Sequence, residues 1–239
     1  MRNSLFSWRT VLAALLAAVT ATSPPLCCAA RPDVYHRVST EERVVAITFD
    51  DGPHPRLTDA VLDVLAEYGA KATFFVVGEN LKYYGRATAR AAAEGHEIGN
   101  HTYTHPSLAK VDVTALRREI LETEALIEEI TGRAASIFRP PEGYCGGGVC
   151  GLAAESGFSV VLWNVDTRDW AGESTADIVK NVMKNVTPGS IVLFHDYGGK
   201  EYHTVAALKE ILPRLCAAGY RFVTVSELLT YSTSSSGVD

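Results

Sequence analysis

The chain has 239 residues, of which 47% are hydrophobic and 21% are charged, and its formal net charge at pH 7 is −6. This composition is ordinary for a globular protein, and the length allows one large domain or two small ones. The lysines and arginines are scattered rather than gathered into a basic stripe, which argues against nucleic acid as a partner.

The first thirty residues have the pattern of a secretory signal peptide. Arg2 and Arg9 make the start positively charged, residues 11–21 form an apolar run, and a Cys-Ala-Ala triplet at 28–30 places small residues at the spacing of a cleavage site. The apolar run is short for a membrane span. We therefore expect residues 1–30 to be a signal peptide and the protein to be secreted or associated with the cell envelope. The alternative is an uncleaved N-terminal anchor, in which case the protein would contact a membrane.

After this segment, apolar runs with the length of strands alternate with segments of helical periodicity. The strand candidates lie at residues 44–49, 72–77, 97–99, 136–138, 159–165, 190–194 and 220–225. Helical patterns lie between them around residues 61–68, 113–130, 178–186 and 211–215. Pro213 is expected to kink or restart the last of these helices.

Regular alternation of strands and helices implies parallel strands, and an unbroken series of this length favours a barrel over an open sheet. We predict an α/β fold, a (β/α) barrel of about seven parallel strands, over residues 43–230. Residues 31–42 form a short polar lead-in. Residues 231–239 form a polar tail that we expect to be mobile.

Ionisable residues cluster where the predicted strands end. The runs that contain them lie at residues 48–53, 101–105, 139–143, 166–170 and 193–195. In a parallel α/β barrel the carboxyl ends of the strands converge on one face, where active sites are built. Residues as distant in sequence as Asp50 and His195 can therefore share one pocket. This pattern indicates a metal-dependent hydrolase.

The two histidines of the second run suggest a metal site. His101 and His105 lie four residues apart, so on one helical turn both rings would project to the same side. Together with Asp51 they would offer two imidazoles and one carboxylate, which leaves positions open for water and substrate as in catalytic zinc sites. Two histidines on a surface turn are the alternative. We expect one divalent metal, with zinc preferred and cobalt or another divalent ion as an alternative.

Asp50 and Asp51 are neighbouring carboxylates after an apolar strand, and like charges disfavour joint ionisation when both are buried. A metal held by one of them would remove most of that penalty and leave the other to act as a base on water. The pair could instead cap the next helix. Arg139, stiffened by the two prolines that follow it, would favour the ionised form of Asp50. A solvated arginine at a strand end is the alternative there.

The last two runs offer a proton donor and an apolar wall. His195 follows an apolar strand, and Asp169 could orient it and raise its pKa, which would make it a general acid. A lone histidine at this place would more often be structural. Trp170 and Leu193 could form a small apolar wall suited to a methyl group, although both could equally belong to the core.

The cysteines outside the predicted signal peptide fall into two groups. Cys145 and Cys150 flank three glycines, and a disulfide between them is possible because export would place the domain where disulfides persist. A zinc site on this pair is a weaker interpretation, since no second cysteine pair follows. Cys216 lies in an apolar helical segment and is expected to be a buried free thiol. Two further histidines, His96 and His203, are expected at the surface.

Taken together, the five runs resemble those of the polysaccharide deacetylase domain, carbohydrate esterase family 4, over residues 43–230. The resemblance implies a deformed (β/α) barrel and a hydrolase that removes the N-acetyl group of an N-acetylated amino sugar and releases acetate. It implies Asp50 as the general base and Arg139 as the residue that orients it. It also implies His195 as the general acid, with Asp169 tuning its pKa.

The same resemblance implies the remaining site residues. The metal ligands would be Asp51, His101 and His105. Trp170 and Leu193 would hold the acetyl methyl group, and the backbone N–H of Glu142 would donate to the oxyanion. In relatives the position of Glu142 is often aromatic or basic. A side chain that serves only through its backbone should not abolish activity, but it can alter which sugar fits.

Two other functions stay open at this point. The same residues could remove O-acetyl groups from xylan-type polymers, or the chain could be an exported carbohydrate-binding module that keeps the pocket without turnover. The expected substrate is an N-acetylated polysaccharide or oligosaccharide, peptidoglycan or chitin-like. Peptidoglycan is preferred because the export signal looks bacterial and no appended binding domain is evident. The sequence does not distinguish GlcNAc from MurNAc, nor does it give the oligomeric state.

Overall fold

The computed structural model describes residues 33–198 and 203–233, so the predicted signal peptide and most of the predicted tail lie outside the described residues. The strands are β1 (Val34–Tyr35), β2 (Val44–Asp50), β3 (Ala72–Val76), β4 (Glu97–Asn100), β5 (Ile137–Phe138), β6 (Ser159–Val161), β7 (Val165–Asp166), β8 (Ser190–His195) and β9 (Arg221–Phe222). The helices are α1 (Leu57–Glu67), α2 (Gly78–Ala93), α3 (Val113–Thr131), α4 (Val149–Glu155), α5 (Thr175–Asn185), α6 (His203–Ala217) and α7 (Val225–Leu229). Short 3₁₀ turns lie at Leu108–Lys110, Pro141–Gly143 and Asp169–Ala171.

Within these ranges the strands form one nine-stranded sheet in the order β1-β6-β5-β4-β3-β2-β8-β7, and β9 pairs with β2 outside this path. Every pairing between named strands is parallel. The predicted deformed (β/α) barrel of parallel strands is confirmed. The strand number exceeds seven for two reasons: the predicted strand at 159–165 is divided into β6 and β7, and β1 adds a strand inside the polar lead-in.

The centre of the domain is β2, which is buried at all seven positions. It pairs with β3 on one side and with β8 on the other, so the strands that carry the first and last sequence runs are direct neighbours. Phe49 stacks on Phe74 and Phe194, with ring centroids 5.0 and 5.8 Å away. Strands buried on both faces are typical of parallel sheets, which explains why β2 is continuously apolar.

Helix α3 begins and ends at residues with clear capping roles. Asp112 accepts a hydrogen bond from the backbone N–H of Ala115 at the start of α3, and Gly132 ends that helix in the left-handed conformation, with φ 72°.

α6 runs through Pro213 as one helix, so the expected restart does not occur. Burial of Leu212 and Leu215 on either side holds this turn against the core despite the missing backbone donor.

Two expectations about burial were wrong. Cys216 is exposed, because it lies on the outer face of α6 while the leucines of the same turn face inward. His96 is buried, with its Nδ1 accepting a hydrogen bond from Ala72 N at 3.1 Å and its ring edge-on to Phe74. His203 is half-buried, and its Nδ1 lies 3.2 Å from Thr175 Oγ1.

Among the described residues, no helix combines the length and apolarity that a membrane span needs.

Candidate active site

The turn that follows β2 carries the two neighbouring aspartates in different environments. Asp50 ends the strand and is 3% exposed, whereas Asp51 begins the turn with a φ of 73° and is half-buried. A cis peptide bond joins Gly52 to Pro53 just after it. Because Asp51 adopts the left-handed conformation, the chain leaves the strand sharply at this point. The two carboxylates share His101 as a neighbour, but Asp50 is also paired with Arg139.

Asp50 is paired with a fully buried arginine. Arg139 Nη1 donates to Asp50 Oδ1 at 2.6 Å and to Thr48 Oγ1 at 2.8 Å. Its other nitrogens donate to the backbone oxygens of Val161 and Leu162, each at 3.1 Å. The solvated-arginine alternative is excluded, since Arg139 is 0% exposed. A guanidinium with this many acceptors fixes one oxygen of Asp50 in place.

The other oxygen of Asp50 faces a cluster of side chains that could bind a metal. Asp50 Oδ2 lies 3.7 Å from His101 Nε2. Asp51 Oδ1 lies 3.5 Å from His101 Nε2 and 3.4 Å from His105 Nε2. Among the described residues, Asp51, His101 and His105 form the group whose ligand atoms all lie within 4.8 Å of one another. The structure thus brings together the three ligands that the sequence predicted.

The spacing of these atoms fits a zinc-like ion. Tetrahedral ligands bound at about 2.0–2.2 Å lie roughly 3.3–3.6 Å from one another. The observed separations between Asp51 Oδ1 and the two imidazole nitrogens, 3.5 and 3.4 Å, fall in that range. Asp51 Oδ1 is also buried without a hydrogen-bond partner in the described part of the chain. A buried oxygen with no donor is costly unless a cation satisfies it, so the donor set fits a divalent metal.

The electrostatics of Asp51 and His105 agree with that interpretation, whereas the charges of Asp50 and Asp51 outweigh burial and raise the pKa of His101. Burial alone would raise the pKa of Asp51, but its interaction with His101, 3.5 Å away, and the charges of His195 and His105 outweigh burial and lower the pKa to about 2. Burial, together with the charge of His101, lowers the pKa of His105. An ionised carboxylate and a neutral imidazole are the forms that bind metals.

The histidine pair is positioned by a loop and not by the helical turn that the spacing suggested. Thr102 and His105 have positive φ values of 68° and 53°, and this loop brings the two rings to 5.0 Å between centroids. Arg139 O lies 2.7 Å from His101 Nδ1, which turns the opposite nitrogen of the ring toward Asp51. A hydrogen bond to the ring nitrogen that does not bind the metal, here Nδ1, is the usual way that proteins orient a metal-binding imidazole.

His195 ends β8 and is held by Asp169 from the 3₁₀ turn after β7. The histidine Nδ1 lies 2.8 Å from Asp169 Oδ1, and its backbone N donates to Asp169 Oδ2 at 2.9 Å. Thr204 Oγ1 also donates to Asp169 Oδ2, at 2.8 Å. Burial alone would lower the pKa of His195, but the hydrogen bond and charge of Asp169 outweigh it and raise the pKa to about 9. His195 is therefore poised to donate a proton at neutral pH.

The three residues expected to contact substrate lie in different environments. Glu142 is exposed in the 3₁₀ turn after Arg139 and has a left-handed φ of 57°. Leu193 is buried within β8 at 2% exposure, whereas Trp170 is 63% exposed and its Nε1 donates to Asp166 Oδ1 at 3.4 Å. Soon after Glu142 a disulfide joins Cys145 to Cys150, as the sequence allowed.

Sequence reasoning missed two residues that support the turn after β2. Asn80, at the start of α2, donates its side-chain amide to Asp51 O at 2.7 Å. Asp196 directly follows His195 and is 1% exposed, and burial raises its pKa to about 7, with the charges of Asp51 and Asp50 adding to the rise. A third carboxylate beside a strand-end histidine was a usable signal for Asp196. Nothing in the sequence marked Asn80.

All five non-glycine residues with positive φ in the described ranges belong to this site. They are Asp51, Thr102, His105, Glu142 and Arg168. Each lies in one of the runs that follow the strand ends. Positive φ is uncommon for residues with a Cβ, and strained conformations of this kind gather at functional sites. The backbone outliers therefore locate the site independently of side-chain chemistry.

Known proteins share both the sequence pattern and the length of this domain. The family model described as "Polysaccharide deacetylase" matches residues 37–161. A peptidoglycan-N-acetylglucosamine deacetylase of Bacillus cereus is 45% identical over 81% of this chain and 92% of its own. A chitooligosaccharide deacetylase of Azorhizobium caulinodans is 34% identical over 77% of this chain and 93% of its own.

Among solved structures, a peptidoglycan N-acetylglucosamine deacetylase in complex with 4-naphthalen-1-yl-N-oxidanyl-benzamide has the same fold. It superimposes with a TM-score of 0.81, is 40% identical, and covers 85% of this chain and 96% of its own. The two proteins are therefore similar in sequence as well as in fold, over most of this chain.

Proposed function

This chain belongs to the polysaccharide deacetylase family, and from that premise we infer that it is a metal-dependent hydrolase that removes N-acetyl groups from N-acetylated amino-sugar polymers and releases acetate. The observation that carries this inference is the placement of Asp50. One of its oxygens is fixed by Arg139 at 2.6 Å, and the other lies 3.7 Å from His101 Nε2 at the edge of the metal-ligand cluster. A carboxylate held in this way can act as a base beside a metal without ligating it.

The finer features of the function are also proposals. Zinc is the preferred ion, because three protein ligands with an open position are typical of catalytic zinc sites. Cobalt or another divalent ion is the alternative, because two imidazoles and one carboxylate suit several divalent metals. Peptidoglycan is the preferred polymer, and the resemblance to peptidoglycan-N-acetylglucosamine deacetylases supports GlcNAc as the sugar. We place the protein outside the cytoplasm, which the Cys145–Cys150 disulfide supports, since such bonds persist in oxidising compartments.

In the proposed mechanism the first step belongs to Asp50. Asp51, His101 and His105 would hold the metal, which when bound lowers the pKa of a coordinated water toward neutrality and polarises the acetyl carbonyl. Asp50 accepts the proton of the attacking water while Arg139 holds the carboxylate in place. Because this base is buried at 3% exposure, little solvent competes for it.

The second step belongs to His195. It is held in its protonated form by Asp169 and donates a proton to the departing amine, which leaves a free amino sugar and acetate. The backbone N–H of Glu142 donates to the oxyanion, an interaction that typically lowers the barrier by about 3–4 kcal/mol. Leu193 and Trp170 flank the acetyl methyl group. These residue roles together give one base, one acid and one oxyanion donor around the scissile bond.

The test of this function is acetate release by the purified protein. Protein stripped with a chelator and then resupplied with zinc or cobalt is offered N-acetylchitooligosaccharides, peptidoglycan and acetylxylan in parallel. We expect metal-dependent release from the N-acetylated substrates, and the ratio between them ranks the polymers. Release from acetylxylan alone would replace the proposal with an O-acetyl esterase. Tight oligosaccharide binding without release under any metal would replace it with a carbohydrate-binding module.

Replacing Asp169 with asparagine is expected to move the alkaline limb of the pH–rate profile to lower pH. His195 donates a proton only while it is protonated, so wild-type activity should fall as the pH rises through about 9. Asparagine keeps an oxygen near the ring but removes the charge that raises its pKa. The measurement is kcat for acetate release across the alkaline range at saturating substrate.

The matched control for this variant is Asp166→Asn. Asp166 ends β7, three residues before Asp169, but its carboxylate accepts from the indole of Trp170 and from the backbone N–H of Arg168. The alkaline limb of Asp166→Asn should stay where it is in the wild type. If the limb does not move in Asp169→Asn either, His195 is not the general acid.

A further inference from the structure

Asp196 is a buried carboxyl group that the proposed mechanism does not use. It continues β8 directly after His195, and its backbone N donates to Asp50 O at 3.2 Å. Its side chain is 1% exposed and lies over the α-carbon of Gly52. A Cβ placed on Gly52 would lie 2.2 Å from Asp196 Oδ1 and 2.3 Å from Oδ2. The carboxyl therefore packs directly on the turn that carries Asp51.

A hydrogen-bonded relay joins the same carboxyl to the far end of that turn. Thr58 Oγ1 donates to Asp196 Oδ2 at 2.5 Å and accepts from His54 N at 2.8 Å. A hydroxyl has one proton, so donation to Asp196 leaves the lone pairs of Thr58 for the backbone of His54. The relay thus anchors the residue that closes the turn.

The opposite side of the turn is held by the segment that leaves β3. Val77 N donates to Gly52 O at 2.8 Å, and the side chain of Asn80 donates to Asp51 O at 2.7 Å. These contacts fix the turn relative to the strand that precedes α2. The contacts of Asp196 fix the turn relative to the end of β8, where His195 lies.

Stability alone is a poor explanation for this carboxyl. Asp196 Oδ1 is buried and has no hydrogen-bond partner among the described residues. Burying a polar oxygen without a partner destabilises a protein, and an apolar residue of similar size would avoid that cost. A carboxyl kept at this place despite the cost indicates a positional role, because its two oxygens contact Gly52 and Thr58 at once.

We propose that Asp196 is a positioning residue that sets the turn carrying Asp50 and Asp51 against His195. This inference rests on the proposed function for the roles of those three residues. The carboxyl keeps the spacing between the proton acceptor, the metal-binding carboxylate and the proton donor. Loss of the contacts made by Asp196 should disturb the geometry of the metal ligands first, since Asp51 belongs to the turn itself.

The test uses two variants that break the contact from opposite sides. Asp196→Ala removes the carboxyl, and Thr58→Val removes the relay without touching the residue next to His195. Asp196→Asn and Thr58→Ser are the conservative partners, because each keeps the oxygen that the relay needs. Thr88→Val is the matched control, since Thr88 is also a buried threonine and its hydroxyl has no hydrogen-bond partner within the described ranges.

Two readouts are measured on the full chain. The first is the Kd of Zn²⁺ for chelator-stripped protein, obtained by competition with a chromophoric chelator. The second is kcat and KM for acetate release, at a temperature well below the Tm of every variant. We expect Asp196→Ala and Thr58→Val to weaken zinc binding by about tenfold or more and to lower kcat with little change in KM, as loss of an outer partner of a metal site usually does.

The conservative variants and the control should stay within about threefold of wild type, well below the effect of losing an outer partner. Unchanged zinc Kd and kcat in Asp196→Ala or Thr58→Val, even with a lower Tm, would overturn the proposal and leave Asp196 a structural residue. A loss in Asp196→Asn as large as that in Asp196→Ala would overturn it as well. The zinc measurement needs no substrate, so failure of the proposed function and failure of this inference are distinguishable.

Discussion

Replacing Asp50 with asparagine should lower kcat/KM for acetate release by about 10²- to 10⁴-fold, the usual worth of a positioned general base. Asparagine matches the shape of the carboxylate, and its oxygen can still accept from Arg139 Nη1, which donates at 2.6 Å in the wild type. It cannot take up a proton from water. The loss should therefore fall on the chemical step, and KM should change little. The measurement is initial rates of acetate release with metal supplied in excess.

Zinc affinity is the internal control for that variant. Asp50 Oδ2 lies 3.7 Å from His101 Nε2 and belongs to the edge of the ligand cluster, not to its centre. The zinc Kd of Asp50→Asn should therefore stay within about tenfold of wild type, which is below the loss expected for a direct ligand. Retained activity would remove Asp50 as the base. Lost activity together with lost zinc binding would make Asp50 a ligand instead.

Replacing Arg139 with methionine should abolish measurable activity and lower the free energy of unfolding by about 3–5 kcal/mol, the range seen when one partner of a buried ion pair is removed. The guanidinium is 0% exposed and stacks over the ring of Phe75 at 4.1 Å. Methionine would fill part of this volume but would leave the Asp50 carboxylate buried without its donor. Urea unfolding and acetate release measure the two effects separately.

A double-mutant cycle separates the ion pair from the packing. If the buried charge of Asp50 causes most of the instability, adding Asp50→Asn to Arg139→Met should restore part of the lost free energy. Arg139→Lys should remain damaged, because an ammonium group cannot reach the carboxylate, the Thr48 hydroxyl and the two backbone oxygens together. Wild-type stability in Arg139→Met would mean that the ion pair contributes little to folding.

Much of the fold could be predicted because its signal is local. The buried parallel strands are continuously apolar, and the helices between them have regular periodicity. Local patterns did not show that the chain leaves the sheet between Val161 and Val165, because the sequence there continues to look like a strand. β1 was equally hidden, since two residues paired with β6 leave no pattern.

The candidate site was predictable in its members and less so in its geometry. Strand ends grouped carboxylates and imidazoles that the structure brings together, because a parallel barrel brings those ends to one face. The loop that joins His101 to His105 was not foreseen, since its shape depends on left-handed residues and not on helical spacing. Asp196 escaped notice because its partners Gly52 and Thr58 are far away in sequence and meet it only in the folded chain.

The left-handed residues around the site have a consequence for how its specificity can change. At Glu142 the proposed contribution to chemistry is the direction of a backbone N–H, which the φ of 57° sets regardless of the side chain. A position of this kind lets evolution, or an engineer, exchange the side chain that meets a new sugar while the catalytic donor stays aimed. β-branched residues are the exception, because positive φ disfavours them strongly. The backbone conformation keeps the proposed oxyanion donor in place, and the side chain at this position is free to vary.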